Sequence, residues 1–147
     1  MNTKDLEDKI LIKELVDTIS ILGDTKDFNA QVQLFTENAI SETIANGTTI
    51  LKLQGRKNMA EAFGKFLNEV ETVYHFNGQQ VITLMGDKAF GNSYCLITLI
   101  ANENGIKTKT TIGAIYKDDY VKEDNNWLVA KRIGNFEWQD KVELKSY

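Results

Sequence analysis

One side chain in this 147-residue sequence titrates near neutral pH by residue type: His75, the single histidine, in Val73-Tyr74-His75-Phe76-Asn77-Gly78. A histidine among apolar residues reads either as a packed, hydrogen-bonded side chain or as a base with one ring nitrogen free. The second reading needs a carboxylate on the other nitrogen to fix the tautomer. Asp24, in Ile21-Leu22-Gly23-Asp24, is the natural carboxylate to supply it; the alternative for Asp24 is turn chemistry between two helices. Arg132 is the third candidate. Alternation along Leu128-Val129-Ala130-Lys131-Arg132-Ile133 sets it on the face of Leu128 and Ala130, opposite Lys131, so that one of the two cations points inward. An inward arginine must find an anion or several acceptors, because an unpaired buried charge is prohibitive. A substrate oxygen and an internal carboxylate both meet that need.

Other chemistry is thinly represented. Cys95 lies within a strand-like run and reads as a buried, inert thiol, since the lone histidine would have to be its activating base. A single cysteine forms no internal disulfide, and one cysteine with one histidine forms no Cys/His zinc cluster within the chain. Asp118, Asp119 and Asp124 lack the spacing of a cation-binding loop. No phosphate-cradling glycine loop or nucleophile elbow occurs, and neither a metal nor a cofactor is expected. The formal charge of −4 gives little footing for nucleic acid, which calls for clustered Lys and Arg. The first residues lack the basic and apolar regions of a secretory signal, and no apolar run approaches bilayer length. The expectation is a soluble, cytoplasmic protein that engages neither membrane nor nucleic acid.

The elements that would position these residues follow from periodicity. Leu11, Leu15 and Leu22, with Ile12, Val16 and Ile19 beside them, predict an amphipathic helix over Asp5 to Leu22, stopped by Gly23. Asp27 is a plausible N-cap for a second helix reaching Leu34-Phe35. Ile, Thr and Leu around Asn46-Gly47 predict a hairpin within Ala39 to Leu53. Met59, Phe63, Phe66, Leu67 and Val70 predict a third helix from about Lys57 to Val70. Strands are then expected at Gln80 to Leu84, Ala89 to Ala101, Lys107 to Lys122 and Trp127 to Glu137, with turns at Gly86-Asp87, Asn104-Gly105 and Asp124-Asn125-Asn126. Helices first and an antiparallel meander afterwards make a single α+β domain over residues 1–147, its helices packed on one face of a strongly curved sheet. The faces of the long strand from Lys107 are mixed, as suits a strand that lines a core or cavity in one part and meets water or a second subunit in another; plain sheet curvature without any cavity accounts for the same residues.

The order Ile21-Leu22-Gly23-Asp24, Asp27-Phe28, Leu34-Phe35-Thr36-Glu37-Asn38-Ala39, Gly55 before a helix, and His75 with Asn77 before a strand resembles SnoaL-like domains of the nuclear-transport-factor-two-like superfamily. The stretch Tyr116-x-Asp118-x-Tyr120-x-x-x-Asp124-x-x-Trp127-x-x-x-x-Arg132 follows the same family's spacing. The resemblance implies a cone-shaped α+β barrel with an apolar pocket at its open end, in a family that includes polyketide cyclases, dehydratases, a dehydrochlorinase and isomerases. It implies an Asp24–His75 dyad, Arg132 facing the pocket, and pocket walls that include Tyr74, Tyr116, Leu15 and Phe63. Lys13 corresponds only by analogy to a lysine that assists halide departure in the dehydrochlorinase. The activity so implied is a cofactor-independent lyase or isomerase, dehydratase- or cyclase-like, acting on a small and mainly apolar molecule. The other reading is a non-catalytic small-ligand-binding or oligomerisation domain of the same fold. In both, a homodimer or homotrimer is expected, because family members pair through the sheet.

Overall fold

The computed structural model describes residues 1–145. Helix α1 (Thr3–Asp24) is opened by Asn2, whose Oδ1 accepts from the Asp5 amide at 2.8 Å. Ile12, Val16, Ile19 and Gly23 form its inward line, with Leu15 beside them. Leu11 was expected on this stripe but is 41% exposed. It sits one residue, about 100°, round the helix from Ile12 and beyond the packed edge. Gly23 does not stop the helix; it lies inside the last turn, and a Cβ there would come within 3.0 Å of Gln31 Nε2. The glycine is needed for that close approach.

The second helix, α2 (Phe28–Gln31), is a single turn capped by Asp27, whose Oδ1 accepts from the Ala30 amide at 3.2 Å. It passes through a 3-10 turn at Val32–Leu34 into β1 (Phe35–Ala45). The helix does not reach Phe35 as expected, because Phe35 already pairs in parallel with Val129 of the last strand. The hairpin to β2 (Thr48–Gln54) turns at Asn46-Gly47, both at positive φ, as a tight two-residue turn requires. Helix α3 (Arg56–Phe66) ends four residues short of Val70, which instead opens β3 (Val70–Met85). That strand begins ten residues before Gln80, where it was expected. The run Asn77-Gly78-Gln79-Gln80 looks like a break in sequence, yet it is absorbed as a register shift against the next strand.

Strands β4 (Lys88–Glu103), β5 (Ile106–Glu123) and β6 (Asn126–Glu143) complete the meander, and β6 runs on past Glu137. The six strands are ordered β2-β1-β6-β5-β4-β3, all neighbours antiparallel except β1 with β6. The helices cover one face of this curved sheet. At one end Ile12, Val16, Phe35, Met59, Tyr120, Trp127 and Val129 pack into one buried cluster. At the other end a second cluster, Cys95, Ile97, Ile112, Ala114 and Tyr116, stands back from the helices. The opposite face of the sheet exposes Tyr74, Phe76, Tyr94, Leu96 and Trp138. Trp138 lies flat on Gly113, where a Cβ would come within 2.1 Å of the indole nitrogen. Among the described residues no helix is long and apolar enough to cross a membrane.

Asp8 fastens α1 to the β5–β6 hairpin. Its carboxylate is 4% exposed and accepts from Trp127 Nε1 and Lys122 Nζ, each at 3.0 Å. The Trp127 bond, aided by Lys122 and opposed by burial, holds the Asp8 carboxyl below its ordinary value of 3.8. A carboxyl depressed by folding stabilises the fold above its unfolded pKa, and that contribution is lost as pH falls through the folded one. Asp8→Ala strands the indole N–H and is expected to cost about 1–3 kcal/mol at neutral pH. Urea unfolding checks this, and the gap from the wild type should narrow once the pH falls below the ordinary carboxylate value.

Candidate active site

The space left between the helices and the second cluster is a cavity of about 230 Å³. Its walls are mostly apolar, including Ile19, Phe28, Phe35, Phe63, Val73 and Ile97, and it reaches the surface near the exposed Ile50 and Phe66. His75, Arg132, Gln31 and Ser20 are among the few polar side chains in those walls.

His75 enters from β3. The strand's alternation turns Val73 and His75 inward and Tyr74 outward, and the end of α1 brings Asp24 against the ring. His75 Nδ1 lies 2.6 Å from Asp24 Oδ1, and the same oxygen accepts the His75 backbone N–H at 3.0 Å. Two bonds to one carboxylate oxygen fix both the strand's position and the ring's orientation. A carboxylate only accepts, so the shared proton sits on Nδ1, and in the neutral ring the lone pair is then on Nε2. Nε2 has no protein partner among the described residues and is not sealed off.

Arg132 enters from β6, opposite Asp118 of β5 in register. The two form a forked pair, Nε to Oδ1 and Nη2 to Oδ2, both 2.9 Å. The Asp118 side chain is completely buried, and its Oδ2 also accepts from the Tyr120 hydroxyl at 3.0 Å. Burial works against the Arg132 charge, but the Asp118 carboxylate outweighs it and holds the guanidinium above its ordinary value. Burial also pushes the Tyr116 and Tyr120 phenols up, so both remain neutral donors. The guanidinium stacks over the Tyr116 ring, 4.0 Å from its centroid. Nη1 alone has no protein acceptor among the described residues, and it remains accessible.

His75 and Arg132 therefore meet in one cavity, with Asp24 behind the first and Asp118 behind the second. Phe63 and Tyr116 lie in the cavity walls. Tyr74 and Leu15 do not, and both expectations are corrected. Tyr74 is 56% exposed on the outer face, because neighbouring residues of a strand point to opposite sides. Leu15 is buried in the first cluster of the core, away from the cavity. Lys13 is outside the cavity wall as well, with its ammonium on Asp17 at 2.7 Å. Two polar residues escaped the sequence reading. Asp118 was signalled by its place two residues from both Tyr116 and Tyr120, on the inward face of β5. Gln31 carried no comparable signal beyond being polar in a short apolar run. Burial raises the Cys95 thiol to about 11, consistent with an inert side chain. Among the described residues no three His, Cys, Asp or Glu side chains gather as metal ligands.

The sequence profile of the SnoaL-like domain matches residues 4–133. The chain belongs to the SnoaL-like domain family. No functionally curated relative matches by sequence. Among solved structures, a protein of Novosphingobium aromaticivorans provisionally assigned as a scytalone dehydratase is similar at 16% identity, over 99% of this chain and 95% of its own, with a TM-score of 0.85. The type 2 hexachlorocyclohexane dehydrochlorinase LinA is similar at 17% identity, over 97% and 93%, with a TM-score of 0.79. An aspartate-to-asparagine variant of Rv3472, a protein of unknown function from Mycobacterium tuberculosis, is similar at 22% identity, over 95% and 77%, with a TM-score of 0.76. At these identities the likeness is one of fold: the NTF2-like cone read from the sequence is the fold observed.

The forked pair carries a stability consequence. Asp118→Ala leaves the Arg132 charge buried with no counter-ion and is expected to destabilise the protein by about 3–5 kcal/mol. Arg132→Met with Asp118→Leu, an apolar replacement of both, should recover most of that loss. Chemical denaturation of the single and double variants measures it.

Proposed function

We propose that this SnoaL-like domain is a cofactor-independent lyase or isomerase that removes a proton from an activated carbon of a small, mainly apolar molecule. The observation that carries the proposal is the 2.6 Å contact between Asp24 Oδ1 and His75 Nδ1, which leaves Nε2 unpaired in the wall of an apolar cavity. Nε2 takes the proton. Asp24 keeps the ring in the competent tautomer and stabilises the imidazolium as it forms. Arg132 Nη1 donates to the oxygen on which negative charge develops, with Asp118 and Tyr116 fixing the guanidinium plane so that little reorganisation is needed. The electron pair then expels a group from the neighbouring carbon, which is elimination; or the proton returns to a different carbon, which is isomerisation; or the carbanion adds to a carbonyl carbon of the same molecule, whose oxygen takes up the proton, which is cyclisation.

Carbon-proton removal is read without knowing the natural substrate. Enolisable ketones such as 2-tetralone, incubated in deuterated buffer, should take up deuterium at the α-carbon faster with the protein than without it. His75→Ala should reduce that uptake about 10²–10⁴-fold, the usual contribution of a positioned base, with an unchanged circular dichroism spectrum. Uptake that persists in His75→Ala, or that never exceeds the buffer rate across such ketones, would overturn the proposal.

We further propose that the outer sheet face is covered by a second copy of the chain. Phe76, Leu96, Tyr94 and Trp138 form an exposed apolar patch of the kind that marks an interface, and sheet faces stack readily on one another. A twofold contact sets such a patch against itself. Light scattering should give a mass that is a multiple of 16.6 kDa, and Leu96→Glu should shift it toward the monomer. A monomeric wild type at micromolar concentration would refute this part.

A further inference from the structure

Gln31 is the least satisfied side chain of the cavity. It is 8% exposed, and its Nε2 donates to the Ile19 carbonyl at 3.0 Å. That bond decides the amide's orientation, since the reverse would set two acceptors against each other. Oε1 is then left buried with no hydrogen-bond partner among the described residues. A buried amide oxygen without a donor costs about 1–3 kcal/mol, which a structure retains where something else supplies the donor. The amide also stands beside the base. A methyl group placed on Gly23 would lie 3.0 Å from Gln31 Nε2 and 3.7 Å from His75 Cε1, so both side chains flank the same helical position. Oε1 is closed to solvent as the side chain stands, and the soft terminal torsion of glutamine lets the amide turn to present it to a donor in the cavity.

The charges around the cavity set a second condition. Arg132 is neutralised by its own forked carboxylate, so it offers hydrogen-bond donors without a net positive field. Asp24, behind His75, adds a carboxylate rather than a cation to the surroundings. A carboxylate or phosphate ligand would leave water for a site with no surplus cation to receive it. A neutral ligand meets no such penalty.

We propose that Gln31 is the specificity-determining residue of the cavity, its Oε1 accepting a hydrogen bond from a hydroxyl or N–H group of an uncharged ligand. The inference rests on the proposed function only in taking this cavity as the ligand site. Its test is equilibrium binding, which succeeds or fails independently of proton removal.

The probes are acetophenone, its three monohydroxy isomers, 3-methoxyacetophenone and 3-hydroxybenzoate, titrated into isotopically labelled protein at a pH where the phenols are neutral. At least one hydroxy isomer should bind about 10-fold more tightly than acetophenone and the methoxy compound, the gain from pairing one buried acceptor. The hydroxybenzoate should bind more weakly than the corresponding hydroxyketone. In the wild type the Gln31 side-chain amide resonance should move on adding the hydroxy isomer and stay in place with the methoxy compound. Gln31→Met should abolish the preference for the hydroxyl while leaving acetophenone binding within about 3-fold. His75→Ala should retain the preference, which separates this inference from the catalytic one. Equal binding of hydroxylated and unhydroxylated probes, tighter binding of the carboxylate, or a preference that survives Gln31→Met would overturn it. Should Gln31→Met fail to fold, the wild-type amide shift decides alone.

Discussion

A charge cannot stand unpaired inside a sheet, and Arg132 is such a charge. Its answer is Asp118, directly opposite on β5, in a forked pair with two bonds of 2.9 Å. A slip of one residue along either strand would turn one partner to the outer face and strand the other within. The pair therefore helps lock the β5–β6 register through the middle of the sheet, and Tyr116 and Tyr120, two residues either side of Asp118, close around it. What remains of the guanidinium is Nη1, without a protein acceptor among the described residues, in a side chain that lines the cavity. The same constraint that stabilises the fold thus holds that side chain in place.

The cavity itself comes from an unequal distribution of side-chain bulk. Toward one end, the bulky Met59, Tyr120 and Trp127 are buried together between sheet and helices, and Asp8 ties α1 to the β5–β6 turn. Toward the other end α1 stops at Asp24, α2 lasts a single turn, and the chain drops into β1. No helix continues over Ile97, Ile112 and Tyr116, so their inward faces border open space. Asp24 belongs to that boundary. It is the last residue of α1, and its carboxylate reaches across to β3 where the helix backbone can no longer do so. The dyad is in this sense the join between helix and sheet as well as a candidate base.

Much of this was legible in the sequence, for identifiable reasons. Helix α1, the α3 stripe, three tight turns and the long antiparallel strands each carry a local signal: a 3.6-residue period, Asn-Gly or Asp-Asn at positive φ, and alternation. The convergence of Asp24, His75 and Arg132 came from the family resemblance, since residues separated by 51 positions or more leave no local trace of contact. The failures are equally specific. The early start of β3 was hidden by Asn77-Gly78, which looks like punctuation but is absorbed by a register shift. Tyr74 was placed in the pocket because strand phase was unassigned there; with His75 inward, its neighbour must point out. Asp118 was read only as a poor metal ligand, because its true partner lies on the next strand.

The polar groups proposed to meet ligand, Arg132, His75 and Gln31, fall into two kinds by what they cost the empty protein. Arg132 is satisfied within the fold on two of its three nitrogens, so it adds donors at little expense to stability. His75 is similar, anchored through Nδ1 with Nε2 spare. Gln31 is not: one half of its amide is used to hold α1 and the other half is left buried without a donor. Preorganised groups of the first kind favour developing charge whatever the ligand's remaining shape. A buried acceptor of the second kind discriminates, because only a ligand that brings a hydrogen removes its penalty. Reaction type and ligand choice are on this view carried by different side chains. On the two proposals together, exchange of Gln31 alters which molecule is held, and exchange of His75 alters what happens to it.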